Sequence, residues 1–405
     1  MPRKRRIMIT AEGAYYLFVL AFVFTGAVLR EINLMLVLAG MMLGPLLYNI
    51  RAARRVTQHV AVRRRLPESA TVGEPLAVEL VVTSKTKSLG LRLIDSVGRL
   101  TSADPSGRAK ATTSLAECTA GQPATVRYRL LFPRRGEYHF GPLQIKTSYP
   151  FGLIRRTVEY SLPGTLLVFP RLGLLTAAWS ALFQQAAQGA QRQRRQSYAA
   201  GDFYGLRDYR SGDSRRHIHW RTSARRGKLM VRQFERSVHQ DVAVYVDLWQ
   251  SAAPTPQDHE HVDRAVSFAA TLVHRLCRRG GCHIWLALAQ AHEPPLQGVA
   301  TSALSREAMV RLARVEANSR PFDQERCAAA FAQASRSATR ILVTTRPAFS
   351  QAFQRSHAGA VSGEYRREGR LVSISTRDGS FADLFQFEAP PAEAPLAPTA
   401  AATQP

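Results

Sequence analysis

Two apolar runs open the chain, at 14–29 and 32–50, interrupted only by Arg30 and Glu31 and closed by Arg51, Arg54 and Arg55. Each approaches the ~20 residues that cross a bilayer as a helix, and charges costly in mid-membrane are harmless in a tight turn. The spacing therefore predicts a two-helix membrane anchor over 1–56. Tyr15, Tyr16 and Tyr48 stand where interfacial aromatics belong. A cleaved signal peptide fits less well, because a second apolar run follows at once with no convincing small-x-small site between them. Lys and Arg gather at both outer ends, including MPRKRR at 1–6, so the positive-inside rule puts both termini of a two-pass protein in the cytoplasm.

Beyond the anchor the period changes. Short segments at 59–65, 76–83, 124–132, 143–149 and 165–169 carry β-type residues, several alternating polar with apolar, and Gly- or Pro-containing turns separate them. This predicts an antiparallel β-sandwich over 57–170. Residues 171–200, rich in Ala, Gln and Leu before turning basic, read as a linker with a short amphipathic helix at its start. From 241 to 388, apolar runs at 241–247, 283–289, 340–345 and 370–376 alternate with helical spacing at 258–279, 305–318 and 323–335. That alternation predicts a parallel α/β sheet covered on both faces. The Pro/Ala-rich end, 389–405, reads as a disordered tail.

Composition adds a charge problem. Lys and Arg outnumber Asp and Glu by 55 to 30, a net charge of +25, which attracts polyanions of any kind. For an anchored chain, juxtamembrane attraction to anionic headgroups is preferred over nucleic acid. Four scattered cysteines make no disulfide scaffold, and Cys277 and Cys282 read as unreactive thiols. There is no G-x-x-x-x-G-K-[ST], H-E-x-x-H, G-x-S-x-G or Rossmann glycine fingerprint. Any energy-dependent step would then need a nucleotide-hydrolysing partner.

The densest text lies at 201–240. Tyr204, Tyr209, Trp220 and Phe234 are interleaved with Arg207, Arg210, Arg215, Arg216, Arg221, Arg225 and Arg226, and with Asp202, Asp208 and Asp213. Aromatics supply area a solvated basic run lacks, and arginine forks favour carboxylate, phosphate or carbonyl partners in fixed geometry. The run Arg207, Tyr209, Gly212, Asp213, Arg216, Ile218, His219, Trp220, Ala224, Arg225 and then Val231-Arg232-Gln233-Phe234-Glu235 resembles the bacterial family known as "domain of unknown function 58". The segments 133–143 and 150–153 look like the same family, as glycine turns and aromatic plugs at a sandwich end. The resemblance implies an inner-membrane anchor and a degenerate von Willebrand factor A-like (Rossmann-like) α/β domain. It also implies a MoxR-type AAA+ ATPase as partner.

Ligands of open α/β sheets bind beyond the carboxyl ends of the strands, and the A-type resemblance would place there a D-x-S-x-S cation site. Here Asp247 and Ser251 are present, but Trp249 takes the first serine position and Thr344-Thr345-Arg346 follows the later strand. A guanidinium beside such a site opposes a divalent cation. Asp247, Ser251 and Thr345 are therefore read as a degenerate site, with no metal, cofactor or catalytic residue expected. His217 and His219 share a face on a strand but diverge on a helix. In the turn at 212–216, Asp213 either caps following backbone N–H groups or pairs with an arginine. One expectation is a polar network of Arg207, Asp213, Arg216 and Arg225; another is an arginine surface docking an acidic partner. The overall expectation is a mixed fold of helical hairpin, sandwich and α/β domain acting as a non-enzymatic scaffold. Two rivals stand beside it, a basic nucleic-acid binder and a metal-dependent hydrolase centred on Asp213, His217, His219 and Asp247.

Overall fold

Alternation explains most of the first unit. The computed structural model describes residues 2–99, 108–197, 203–211, 213–234, 241–290, 293–335, 338–346 and 371–387. It divides into two compact units, 1–171 and 172–388, with 389–405 beyond the described residues. The first contains strand β1 (Pro2–Ile9), helices α1 (Ala11–Arg30) and α2 (Asn33–Gln58), and strands β2 (Val60–Arg65), β3 (Ser69–Thr71), β4 (Pro75–Ser84), β5 (Ser88–Arg99) and β6 (Arg108–Cys118). Strands β7 (Ala124–Leu131), β8 (Gly136–Phe140), β9 (Leu143–Thr147), β10 (Ile154–Tyr160) and β11 (Gly164–Phe169) complete it.

One sheet runs β1-β10-β9-β5-β8-β11-β3, with β6 on β5; the other runs β2-β4-β7. Val78, Leu80 and Val82 of β4 share a core with Leu91, Leu93, Leu143 and Ile145, because a two-residue period puts every second side chain on the facing side. All pairings are antiparallel except β11 with β3. Within this core lies a buried charge pair: Arg64 donates to Asp95 through Nε (2.8 Å) and Nη2 (2.5 Å). Tyr128 Oη also donates to Asp95, at 2.5 Å.

The helices α1 and α2 are each long and apolar enough to cross a membrane. Their outward faces are apolar and bare, with Phe22 at 73% and Leu34 at 79% exposure. Water penalises such faces and hydrocarbon does not. Both feet of the hairpin are fastened to the sandwich. Thr10 Oγ1 reaches Gly152 O at 2.6 Å, and fully buried Asn49 donates to Tyr149 O and accepts from Ile154 N, both at 2.9 Å. At Gly13 a Cβ would lie 1.9 Å from Leu153 O, so the close approach requires glycine.

The expected anchor of residues 1–56 differs from the structure at its start, while its second helix ends at Gln58. Residues 2–9 are not part of the anchor but an edge strand antiparallel to β10, and the hairpin is inserted between β1 and β2. Basic side chains suit an edge, where they deter pairing with another chain.

The second unit holds β12 (Leu174–Leu175), α3 (Ala177–Ser197), β13 (Phe203–Asp208), α4 (Trp220–Arg226), β14 (Met230–Phe234), β15 (Val242–Asp247) and α5 (Pro256–Arg279). Next come β16 (His283–Leu288), β17 (Leu296–Val299), α6 (Ser302–Arg314), α7 (Gln324–Gln333), β18 (Thr339–Thr344), β19 (Leu371–Ser375) and β20 (Phe385–Gln386). Its main sheet runs β17-β16-β15-β18-β19. Three pairings are parallel, as expected, but β17 is antiparallel on β16. Val242, Val244 and Val246 face a core with α5 and α6, and Ala243 and Tyr245 face a second core with α7. Both faces are thus covered. The linker expected at 171–200 is also corrected: Trp179, Phe183 and Ala186 of α3 are buried in the first of these cores, Trp179 edge-on to Phe268 at 5.1 Å.

Candidate functional site

The charged residues of the central stretch fold onto a two-stranded sheet. Strands β13 and β14 pair antiparallel; between them come a 3-10 turn, Arg215–His217, and α4, which ends on Gly227 at φ +65°. Arg207 and Asp213 form a bidentate pair, Nη1 to Oδ2 at 2.7 Å and Nη2 to Oδ1 at 2.6 Å. Asp213 Oδ2 also accepts from Arg210 N at 2.9 Å, so it caps backward in sequence rather than forward. The Arg207 hydrogen bond, then the Arg210 backbone N–H, hold this carboxyl below its ordinary value.

His219 caps α4, its Nδ1 accepting from Thr222 N at 3.2 Å, while His219 N donates to Met230 O at 2.8 Å. Ser223 Oγ accepts from Met230 N at 2.8 Å, and Tyr209 N donates to Leu229 O at 2.9 Å. These bonds tie the turn and helix to β14. His217 closes the 3-10 turn and His219 caps the helix, so neither strand nor single helix relates them. Gly212 and the Arg216 side chain lie outside the described residues. Of the expected four-member network, Arg207 and Asp213 meet among the described residues, and Arg225 is exposed on α4. Trp220, 65% exposed, stands with exposed Arg221, Arg225 and Arg226 on the same short helix.

A second polar cluster lies at the carboxyl edge of the main sheet. Asp247, only 2% exposed, ends β15. Its Oδ2 accepts from Arg346 Nε at 2.6 Å, and Oδ1 from Arg346 Nη2 and Gln290 Nε2, both at 3.3 Å. Arg346 Nη2 also donates to Arg320 O at 2.8 Å. Thr345 Oγ1 faces the backbone of Trp249 instead, accepting from its N at 2.7 Å and donating to its O at 2.6 Å. Ser251 Oγ lies 2.7 Å from Ala253 O and 3.1 Å from Asp258 Oδ2. Asp247, Ser251 and Thr345 are therefore not brought to one point, and each engages a different partner.

A second ion pair, not foreseen, lies along the same edge. Asp258 accepts from Arg377, Thr255 N (2.9 Å) and Thr255 Oγ1 (3.0 Å), and Arg377 Nε donates to Thr345 O at 2.6 Å. The Thr255 backbone N–H, then Arg377, hold the Asp258 carboxyl far below its ordinary value. Part of this was legible, since Thr255-Pro256-Gln257-Asp258 is a capping box with Pro at the helix start. A pocket of about 810 Å³ opens beside Asp247, lined by Gln290, Asn318, Arg320, Phe322 and Arg346 among others. Among the described residues no group of three His, Cys, Asp or Glu side chains is placed to hold a metal. Burial and the neighbouring Cys282 push the Cys277 thiol up to about 11, so it stays protonated at neutral pH.

Residues 205–345 match the family described as "Protein of unknown function DUF58". The "Uncharacterized protein YeaD" of Bacillus subtilis (strain 168) is 29% identical over 159 residues, 38% of this chain and 37% of the relative. The chain thus spans little more than a third of that relative's length. Among solved structures, a β-glucosidase from Listeria innocua is 17% identical, over 27% of this chain and 16% of that one, with a TM-score of 0.20. A superoxide reductase (Neelaredoxin) from Ignicoccus hospitalis is 12% identical, over 28% of this chain and 83% of that one, with a TM-score of 0.19. Similarity of that degree carries no argument about fold or function. The matched residues run from within β13 through α4 and β14 and along the α/β sheet as far as Thr345.

Proposed function

We propose that this chain is a non-enzymatic scaffold of the bacterial inner membrane, held by its two-helix anchor with both termini and both soluble units in the cytoplasm. In this reading the α/β unit is a von Willebrand factor A-like domain whose cation site has degenerated. The observation that carries it is the guanidinium of Arg346 on the Asp247 carboxylate, 2.6 Å away, where an A-type domain would seat a divalent cation. A positive group already on that oxygen leaves no charge there for a metal-activated water, which disfavours the hydrolase reading.

Docking then falls to the exposed helix α4. Trp220 offers a large apolar anchor and Arg221 and Arg225 offer planar donors, the residue types that dominate interface energetics. Their charge fits an acidic protein surface, and the partner class proposed is a MoxR-type AAA+ ATPase, which would supply the nucleotide hydrolysis. The test is binding of the purified full-length chain, in detergent, to a purified MoxR-type ATPase. Trp220→Ala and Arg225→Glu are expected to weaken binding about tenfold or more, and Lys110→Glu, on the other unit, to leave it unchanged. No binding by the wild-type chain, or equal binding by all variants, overturns the proposal. Capture of nucleic acid instead, with a steep salt dependence, would favour the nucleic-acid reading.

A further inference from the structure

Arg156 is the least expected residue of the first unit. It lies on β10, whose burial alternates strictly so that Ile154, Arg156, Val158 and Tyr160 form the inward row. The guanidinium-bearing side chain is 7% exposed, and its Nε is buried without a hydrogen-bond partner. A buried donor left unpaired is costly, more so when charged, and buried cations are ordinarily paired. Here the neighbours are cations as well. On β1, Arg5 pairs with Val158 and Ile7 with Arg156, so Arg5 is the diagonal neighbour of Arg156 on the same face, within reach of a long side chain. From Arg5 to Ile9 on β1 and Ile154 to Tyr160 on β10, that row contains no acid; Glu159 lies on the opposite face.

The third cation comes from the end of the hairpin. Helix α2 packs against β9 and β10, pinned by Asn49 at the first residue of β10. Arg54 follows five residues later, about 7.5 Å further along the helix. Burial first, then the charges of Arg5 and of the exposed Arg54, lower the proton affinity of Arg156, and Tyr160 partly offsets them.

We infer that Arg5, Arg54 and Arg156 form a binding site for a phosphate group at the foot of the helical hairpin. Two exposed arginines, Arg5 and Arg54, beside the buried Arg156 with its unused Nε donor, match a tetrahedral anion whose oxygens accept charge-assisted hydrogen bonds. Neutralising their mutual repulsion would stabilise the packing of α2 on β10. The phosphate could belong to an anionic phospholipid headgroup, which rests on the reading that α1 and α2 span a bilayer, or to a soluble phosphate.

The full-length chain distinguishes these sources. It is placed in nanodiscs of phosphatidylcholine with phosphatidylglycerol, re-extracted, and weighed intact; in parallel its melting temperature is followed in detergent against inorganic phosphate. With the lipid source, wild type retains one phosphatidylglycerol, Arg156→Leu reduces retention about tenfold, and Arg155→Leu, exposed on the opposite face, does not. With the soluble source, phosphate raises the melting temperature of wild type but not of Arg156→Leu, and no lipid is retained. A chain that fails to enter nanodiscs contradicts the membrane reading alone, since the phosphate titration still tests the site. Arg156→Leu is expected to melt no lower than wild type, because a purely structural arginine would be missed and an unpaired one would not. If it fails to fold, Arg54→Leu, a change at an exposed position, must lose part of the binding. Wild type that gains from neither ligand, or variants that bind as wild type does, overturn the inference.

Discussion

Arg346→Ala is expected to destabilise the α/β unit by about 3–5 kcal/mol. Asp247 is 2% exposed on its side chain and Arg346 13%, so the substitution strands a carboxylate away from solvent. Its remaining contacts, Thr344 Oγ1 and Gln290 Nε2, both stand at 3.3 Å, too long to replace a guanidinium. Removing both charges avoids the stranded group, so Asp247→Leu with Arg346→Met should recover most of the loss. The measurement is well isolated. All four tryptophans of the chain, Trp179, Trp220, Trp249 and Trp285, lie in this unit, so denaturant unfolding followed by tryptophan fluorescence reports it alone. A single variant as stable as wild type would mean the pair contributes nothing.

Asp95→Ala is expected to do the same to the sandwich. Its removal leaves Arg64, whose side chain is 4% exposed, without its carboxylate, and deprives Tyr128 Oη of its acceptor. The loss is again about 3–5 kcal/mol, read as faster amide hydrogen exchange across β4, β5 and β9. The tryptophan-reported transition should not move. Arg64→Met with Asp95→Leu should restore protection, while unchanged exchange in Asp95→Ala would remove the pair from any account of the sandwich.

Segments at 76–83, 124–132 and 143–149 were legible because half-buried strands alternate apolar with polar. The strand β10 was not, since its inward row holds Arg156, and β1 was not, since an edge strand of Lys and Arg reads like the basic flank of a membrane span. The pattern predicts only a short helix where α3 runs, because Trp179 and Phe183 are sparse among Ala and Gln, and their burial depends on packing against α5. Within the central stretch, residue types announced an Arg–Asp pair, and Arg207 with Asp213, six residues apart, is close enough to be within the scope of local pattern. Asp258 and Arg377 are 119 residues apart, and no local pattern connects them. Arg346 stands between these cases: its proximity to a strand-end carboxylate follows from the position of the two strands, while the bidentate contact depends on side-chain geometry that no strand pattern carries.

The most direct test of the scaffold reading is a calorimetric titration of Mg²⁺, Ca²⁺ and Mn²⁺ into the full-length chain and into Asp247→Asn. With the Asp247 carboxylate held by Arg346, the expected result is the same heat for both proteins, with no saturable site. Saturable binding at one cation per chain, lost in Asp247→Asn, would contradict the closed ion pair and return the strand edge to metal-dependent chemistry.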